Sequence, residues 1–402
     1  MLRIGLLGCD ATIAGVARAA VRRGDRLVAG HGVHAAALAG LAPPPVNSWE
    51  AMLDADTCDA VLVGADGWDD GRREAVKTLV QAGRPLVLSQ PLGLSMLWAY
   101  ELDMIRRDTG GVLIPCLAAR QHPFVARLRT AVEAAVGGTG TAESLHVERR
   151  LRDRSREAVL AHLARDVDLI RVIVGDPARL ATLGAADAAA AWPSLAVGFS
   201  GPALVPARWQ VAPAGTAGLT IRLQGAADGV VVEAPENPDA PWTWNGTPAD
   251  GGPFDPAHPI LAALDAAIGT GSPDPATGAV PAATWSDAAR AIELAETVPR
   301  SLAKGRAIEL HREEFTDLGT FRGTMASLGC GLIMLALVVV ILATFVAGIA
   351  REFGWNGAGM IADSWPGIVL AVLGVFLALQ AIPLLMGGDG DPPGPGGDAG
   401  QT

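Results

Sequence analysis

The chain has 402 residues, of which 50% are hydrophobic, and its formal net charge is -11. This length allows two domains with full cores, and the negative charge argues against nucleic acid as the main partner. The four cysteines lie far apart without metal-binding or redox spacing, which argues against a disulfide framework and indicates reduced thiols. We predict no metal site, and the apolar start is too short for a secretion signal.

The first residues predict the opening of a nucleotide-binding fold. A strand is predicted over Leu2 to Leu7, a turn over Gly8 to Ala11 and a helix over Thr12 to Arg23. A working dinucleotide fingerprint has glycine at the first, third and sixth positions of this turn. Only the first of these glycines is present in the six residues Gly8, Cys9, Asp10, Ala11, Thr12 and Ile13.

Asp10 stands where a bound pyrophosphate would place its negative charge. A carboxylate at this point repels phosphate unless it turns inward. Asp10 or Thr12 can then cap the helix by accepting hydrogen bonds from its free backbone N–H groups. We interpret the turn as one in which the protein occupies its own anion site.

The second predicted strand, Arg26 to Gly30, lacks the acidic residue that binds the ribose hydroxyls of NAD. His31 and Gly32 follow it, so this strand end carries no carboxylate. A protonated His31 can contact a 2′-phosphate, although a single loop histidine is more often only solvated.

Two further strands are predicted to end at the same crevice, over Asp59 to Gly64 and over Arg84 to Ser89. Trp68, in the loop after the first of them, can stack on a ligand ring or cover the end of the sheet, and the second role is the commoner one. The other elements predicted here are helices over Ser48 to Ala55, Glu74 to Ala82 and Leu94 to Arg107, and a strand over Val112 to Leu117.

The pattern changes after residue 117 and predicts an α+β domain. Gly and Pro separate short apolar strands in this part of the chain, which is typical of a large open sheet. Trp242 and Trp244 alternate on a presumed edge strand and can stack on a sugar or pack beneath a helix. The predicted elements are helices over Phe124 to Val136, Arg156 to Val174, Pro259 to Ile268 and Trp285 to Ser301, and strands over Glu143 to Arg150, Arg179 to Leu183, Leu195 to Phe199, Arg208 to Val211, Leu219 to Leu223 and Val230 to Glu233.

From Leu2 to Leu310 the chain resembles the Gfo/Idh/MocA oxidoreductases. Ser89-Gln90-Pro91 is similar to the family's Glu-Lys-Pro, the segment Arg120 to Phe124 to its Arg-x-x-Pro, and Asp168 to Gly175 to the end of its catalytic helix. The resemblance implies an α/β fold, with a Rossmann-type doubly wound parallel sheet over 1–117 and an α+β domain with a large mixed or antiparallel sheet over 118–310.

The resemblance also implies NAD(P) as cofactor and a second sheet that can form a homo-oligomer. The cofactor positions that it implies are Gly8, Cys9, Asp10, Ala11, Thr12, Ile13, Gly64, Ala65, Asp66, Ser89, Gln90 and Pro91.

The family's catalytic positions carry other residues in this chain. Gln90 replaces the lysine that relays a proton, and an amide does not titrate near neutral pH. Ala161 and Arg165 replace an aspartate and a histidine. As the alternative, His162 and Asp166 could form a displaced acid–base pair, but a shift of one residue turns each side chain by about 100 degrees around the helix.

The C-terminal part of the chain is predicted to cross a membrane twice. Residues 327–350 and 366–386 are uncharged, and each stretch is long enough to span the ~30 Å hydrocarbon core as a helix. We predict a protein of the inner, cytoplasmic membrane. Basic residues before the first stretch predict, by the positive-inside rule, that its soluble domains face the cytoplasm. A buried helical hairpin is the alternative. The remaining segments are a linker over 311–326 and a tail over 387–402 that is predicted to be disordered.

Four positions in one crevice depart from the pattern of the family's active enzymes and predict a protein that has lost standard catalysis. Together with the C-terminal stretches, they predict a membrane-anchored ligand sensor or scaffold. The four positions are Asp10, the non-acidic end of the second strand, Gln90, and Arg165 with Ala161. The alternative is an active NAD(P)-dependent oxidoreductase of a sugar-like or cyclitol-like substrate with relocated catalytic groups. A third hypothesis is a structural adaptor without a small-molecule ligand. The sequence identifies no protein partner.

Overall fold

A computed structural model describes most of the chain up to residue 310, and the chain divides into two compact units, 1–311 and 312–402. The described residues are 1–33, 41, 43–184, 191–202, 205–212, 215–225, 229–237, 240–249, 252–269, 280–310, 338, 341, 342, 345, 349 and 352.

The first sheet is parallel and has five strands in the order β2-β1-β3-β4-β5. Its central strands are short apolar runs with every residue buried, as expected for a sheet covered by helices on both faces. The strand order reverses between β1 and β3, which places a ligand crevice at their carboxyl ends. The elements are β1 Arg3–Leu7, α1 Ala11–Arg22, β2 Arg26–His31, β3 Ala60–Val63, α2 Asp70–Gln81, β4 Leu86–Leu88, α3 Met96–Thr109 and β5 Leu113–Pro115.

The second sheet is mixed and has nine strands in the order β13-β12-β11-β10-β6-β9-β8-β7-β14. The β6 and β9 strands are parallel, and the other neighbouring pairs are antiparallel. The strands are β6 Ala142–Arg150, β7 Arg179–Leu183, β8 Ala196–Ser200, β9 Ala207–Val211, β10 Gly218–Gly225, β11 Val230–Pro235, β12 Thr243–Trp244, β13 Thr247–Pro248 and β14 Ile308–Glu309.

Four helices complete the unit: α4 Pro123–Val136, α5 Arg156–Val174, α6 Ala257–Ile268 and α7 Trp285–Lys304. The α4 and α5 helices pack on the nine-stranded sheet, whereas α6 returns to the first sheet and packs near α1. The α7 helix buries one face in the core of each sheet, so residues late in the chain help to enclose the first sheet.

Three sequence predictions differ from the structure. The segment predicted as a helix over Ser48 to Ala55 is only a 3-10 turn at Trp49–Leu53, because Ser48 makes no capping bond and a single turn does not offset the cost of helix nucleation. The α2 helix begins at Asp70 and not at the predicted Glu74, because Asp69 caps it. The strand that carries Trp244 is not the edge, since β13 pairs outside it.

The predicted membrane spans, linker and tail fall almost entirely outside the described residues. Within the part of the chain that is described, no helix is long and apolar enough to cross a membrane. Five described residues of the first predicted span are helical with exposed apolar side chains: Val338, Ile341, Leu342, Phe345 and Ile349.

Candidate functional site

Asp10 caps α1 and uses the N–H groups that a phosphate would bind. Its Oδ1 accepts hydrogen bonds from the backbone nitrogens of Thr12 at 2.8 Å and Ile13 at 3.0 Å, and its Oδ2 accepts one from Ala65 N at 2.7 Å. The predicted inward turn is confirmed, with Asp10 rather than Thr12 as the cap. The carboxylate therefore fills the anion position at this helix N-terminus.

The strand ends around Asp10 approach each other closely. A Cβ added at Gly64 would lie 2.6 Å from the backbone nitrogen of Cys9, so position 64 accepts only glycine. Cys9 is 2% exposed, and burial raises the pKa of its thiol to about 11. Because a nucleophilic cysteine requires the thiolate, Cys9 packs as a small apolar residue in this crevice.

The end of β2 carries no acidic side chain. The carbonyl of His31 accepts the backbone N–H of Gly8 at 2.8 Å, which ties the end of β2 to the turn after β1. Gly30 lies against Pro43, whose Cγ would be 2.9 Å from an added Cβ. The strand end therefore offers a ribose no carboxylate, as predicted.

Arg72 is a crevice residue that the sequence did not reveal. From the first turn of α2, its guanidinium reaches over the ends of β1 and β2, and its Nη1 donates to the carbonyl of Asp66. A Cβ added at Gly8 would lie 2.8 Å from Arg72 Cζ, and one added at Gly32 would lie 2.8 Å from Arg72 Nη2. In the sequence, only the glycines around Arg72 could have indicated this close approach. They are Gly8, Gly32 and Gly67, and all three adopt a positive φ in the structure.

Gln90, at the position that the resemblance assigns to a catalytic lysine, points into the protein interior. Ser89 and Gln90 are 5% and 4% exposed, and the Gln90 Nε2 donates to the carbonyl of Ala288 on α7 at 3.2 Å. The Gln90 Oε1 has no hydrogen-bond partner in the described part of the molecule. Gln90 thus packs between β4 and α7.

The alternative acid–base pair on α5 is engaged elsewhere. Asp166 accepts hydrogen bonds from Arg149 Nε at 2.8 Å and from Trp209 Nε1 at 2.9 Å. The Nδ1 of His162 lies 3.3 Å from Arg165 Nη2, and burial lowers the pKa of His162 to about 4. Each member of the pair therefore has a different charged partner.

A buried ionic cluster lies beside this region, where α5, α7 and the turn at Ala118–Gln121 meet. Arg120 Nη1 donates to Asp287 at 2.8 Å, and Arg120 Nε lies 3.6 Å from a carboxylate oxygen of Asp168. Neither Asp168 oxygen has a hydrogen-bond partner among the described residues, and burial raises the pKa of this aspartate to about 6. Arg120 and Asp287 also line a groove of about 460 Å³.

The tryptophans singled out from the sequence pack against other rings. Trp68 meets Trp98 on α3 edge to face with the centroids 5.1 Å apart. Trp242 stacks on His122 at 4.1 Å, and the guanidinium of Arg127 lies 4.0 Å from the centroid of Trp244. These contacts attach β12 and its flanking loop to α4.

Among the described side chains, no group of three or more His, Cys, Asp or Glu residues is arranged to hold a metal ion.

No protein-family model matches the chain, and no curated protein matches it. Solved structures do match. An oxidoreductase from Sinorhizobium meliloti is 16% identical with a TM-score of 0.58, and the alignment covers 77% of this chain and 99% of that one. The myo-inositol 2-dehydrogenase from Lactobacillus plantarum is 16% identical with a TM-score of 0.56 and the same two coverages.

A third solved structure is that of GenD2 from gentamicin A biosynthesis in complex with NAD. It is 21% identical with a TM-score of 0.58, and the alignment covers 77% of this chain and 97% of that one. The chain therefore shares the fold of these oxidoreductase structures, with a Rossmann-like parallel sheet followed by a mixed-sheet domain.

This fold implies a nicotinamide dinucleotide, but the residues of the crevice do not fit one. The helix N-terminus that would bind the pyrophosphate holds the Asp10 carboxylate, and the end of β2 offers a ribose no carboxylate.

Proposed function

We propose that this chain is a membrane-anchored protein with an oxidoreductase fold that has lost standard catalysis and serves as a ligand sensor or scaffold. One observation carries the proposal: Asp10 accepts three backbone hydrogen bonds at the point where a dinucleotide would place its pyrophosphate. A bound phosphate would have to displace this carboxylate and would then lie beside its negative charge.

The surrounding residues support the loss of catalysis. Gln90 is buried and hydrogen-bonded to α7, and an amide does not exchange protons near neutral pH. Arg165 holds the place of a family histidine, and the nearby His162 and Asp166 have other partners. All four residues are thus engaged with protein partners, which supports a loss of standard acid–base catalysis.

The membrane anchor is supported by the uncharged stretches 327–350 and 366–386. The helical residues described in the first stretch expose apolar side chains, as lipid-facing residues do. Exposed apolar side chains are costly in water, and lipid removes that cost.

The dinucleotide part of the proposal is tested by titrating the full-length protein with NADH and NADPH while its tryptophan fluorescence is recorded. The natural chain is expected to show no saturable micromolar binding and no turnover on a panel of cyclitols and sugars. Asp10→Gly frees the three N–H donors, so this variant is expected to gain dinucleotide binding.

Asp66→Asn is the matched control, because it removes one negative charge from the same crevice and leaves the donors occupied. This control is expected to bind as weakly as the natural chain. Micromolar binding with turnover by the natural chain would instead establish the active oxidoreductase.

A further inference from the structure

Two neighbouring arginines beside α5 share a single carboxylate. Arg149 of β6 donates from its Nε to Asp166 at 2.8 Å, and Asp166 also accepts the indole N–H of Trp209 at 2.9 Å. The side chain of Arg165 instead contacts His162, with 3.3 Å between Arg165 Nη2 and His162 Nδ1. In the described part of this region, the ion pair joins Arg149 to Asp166, and none includes Arg165.

His162 orients Arg165 without neutralising its charge. A guanidinium can only donate hydrogen bonds, so the Nδ1 of His162 is the acceptor and the ring carries its proton on Nε2. Burial and the charges of Arg165 and Arg149 lower the pKa of His162 to about 4, so the ring is neutral at physiological pH. The guanidinium of Arg165 is therefore held by a partner that leaves its positive charge uncompensated.

The charge balance of this group is positive. Arg149 and Arg165 are cations, Asp166 is an anion and His162 is neutral, so one positive charge remains. Burial lowers the pKa of Arg165, and the charge of Arg149 lowers it further. A desolvated cation beside a second cation is unfavourable, and a bound anion would offset that cost.

The surroundings of Arg165 select the kind of anion. The charges of Asp10, in the turn after β1, and of Glu236, after β11, act to raise the pKa of Arg165, so its guanidinium lies within electrostatic reach of the crevice. Arg165 is half-buried and so remains partly accessible to a ligand. Asp10 and Glu236 would repel a second negative charge, which disfavours a phosphate dianion. A carboxylate carries one charge and matches the planar donors of a guanidinium.

We infer that the crevice binds a small molecule with a single carboxylate group, and that Arg165 is the residue that binds this carboxylate. The inference rests on the proposed function and names the class of ligand that the sensor takes. An arginine stays protonated at neutral pH, so Arg165 binds and orients the ligand and takes no part in proton transfer.

The first test needs no ligand and measures thermal unfolding of the full-length protein. Arg165→Met keeps a long side chain and removes the uncompensated cation, so this variant is expected to unfold at a temperature at least as high as that of the natural chain. A lower unfolding temperature would show that Arg165 serves to stabilise the fold and would contradict the inference.

The second test is calorimetric titration of the full-length protein with compounds that differ in charge. D-Glucuronate is compared with D-glucose and D-glucose 6-phosphate, and D-gluconate with D-glucitol. At least one of the two acids is expected to bind saturably and at least tenfold more tightly than its neutral counterpart, and D-glucose 6-phosphate is expected to bind more weakly than that acid. Arg165→Met is expected to lose at least tenfold of the affinity for the acid, and Arg165→Lys to lose less because it keeps the charge.

Arg208→Met is the matched control, since Arg208 is an exposed arginine on β9 and its loss removes the same charge. This variant is expected to bind the acid as the natural chain does. Acids that bind no more tightly than their neutral counterparts, or unchanged affinity in Arg165→Met, would overturn the inference while leaving the absence of turnover untouched. Turnover with NADH or NADPH would contradict the proposed function and would not alter the comparison of charged with neutral compounds.

Discussion

A single carboxylate, that of Asp10, accepts the backbone N–H groups at the first turn of this fold. A helix N-terminus attracts any anion, and Asp10 is covalently part of the chain, so it reaches the N–H donors without the entropy loss that a free phosphate undergoes on binding. The carboxylate of Asp10 does more than replace a glycine. It also accepts a hydrogen bond from the backbone N–H of Ala65 and so joins the turns after β1 and β3.

Restoring the family's lysine at position 90 is expected to destabilise the protein. Gln90 is 4% exposed, so Gln90→Lys would bury an ammonium group without a partner and lower the free energy of unfolding by about 2 to 4 kcal/mol. Gln90→Met has a similar volume and loses one hydrogen bond, which is worth about 1 kcal/mol. Urea denaturation of both variants measures the difference, and a Gln90→Lys protein as stable as the natural chain would show that position 90 opens to solvent.

Asp168 gives a pH dependence with a definite sign. Its pKa of about 6 lies above the value of about 3.9 for an unfolded aspartate, so the folded chain binds this proton more tightly. The contribution of Asp168 to the free energy of unfolding therefore falls as the pH rises from about 4 to about 6, by on the order of 2 kcal/mol, and is constant above that range.

The measurement is the difference in unfolding free energy between the natural chain and Asp168→Asn at several pH values. His122 and His162, whose pKa values burial lowers to about 4, act in the opposite direction in both proteins and cancel in the difference. A difference that does not change with pH would show that Asp168 has the same pKa in the folded and the unfolded chain.

The α5 helix is fastened to the nine-stranded sheet by a buried charge pair. Arg149 of β6 donates to Asp166, which also accepts the indole N–H of Trp209 on β9. Arg149→Met would leave the Asp166 carboxylate buried without its cation, and we expect the free energy of unfolding to fall by about 3 kcal/mol.

Arg152→Met is the control for this helix contact, because Arg152 is exposed in the loop that follows the same strand. Its effect is expected to stay within about 0.5 kcal/mol. Equal effects of the two substitutions in chemical denaturation would show that the Arg149 pair adds nothing to the attachment of α5.

At the scale of the whole molecule, the chain consists of two units with different chemistry. Residues 1–311 hold both sheets and their cores, and the unit 312–402 contains the two uncharged stretches. We expect a chain truncated after residue 311 to be found in the soluble fraction with the circular dichroism of a folded α/β protein. The full chain is expected in the membrane fraction, and recovery of both chains in the soluble fraction would contradict the membrane anchor.

The sequence by itself determined the class of fold and much of the crevice chemistry. Buried strands and amphipathic helices follow from local hydrophobic periodicity, and Asp10 is sequence-adjacent to the N–H groups of Thr12 and Ile13 that it caps, so both could be predicted. The absence of an acidic residue after β2 and of a lysine at position 90 could also be read directly, because each position is set by the strand that precedes it.

Only the tertiary structure decided where the long side chains go. Arg72 lies 64 residues from Gly8 and 40 from Gly32, and the two glycines and the guanidinium meet because β1 and β2 pair while α2 begins beside them. Gln90 likewise contacts Ala288 because α7 returns to the first sheet from the far end of the unit. Contacts of this kind depend on chain topology and on the directions of long side chains, which local periodicity does not encode.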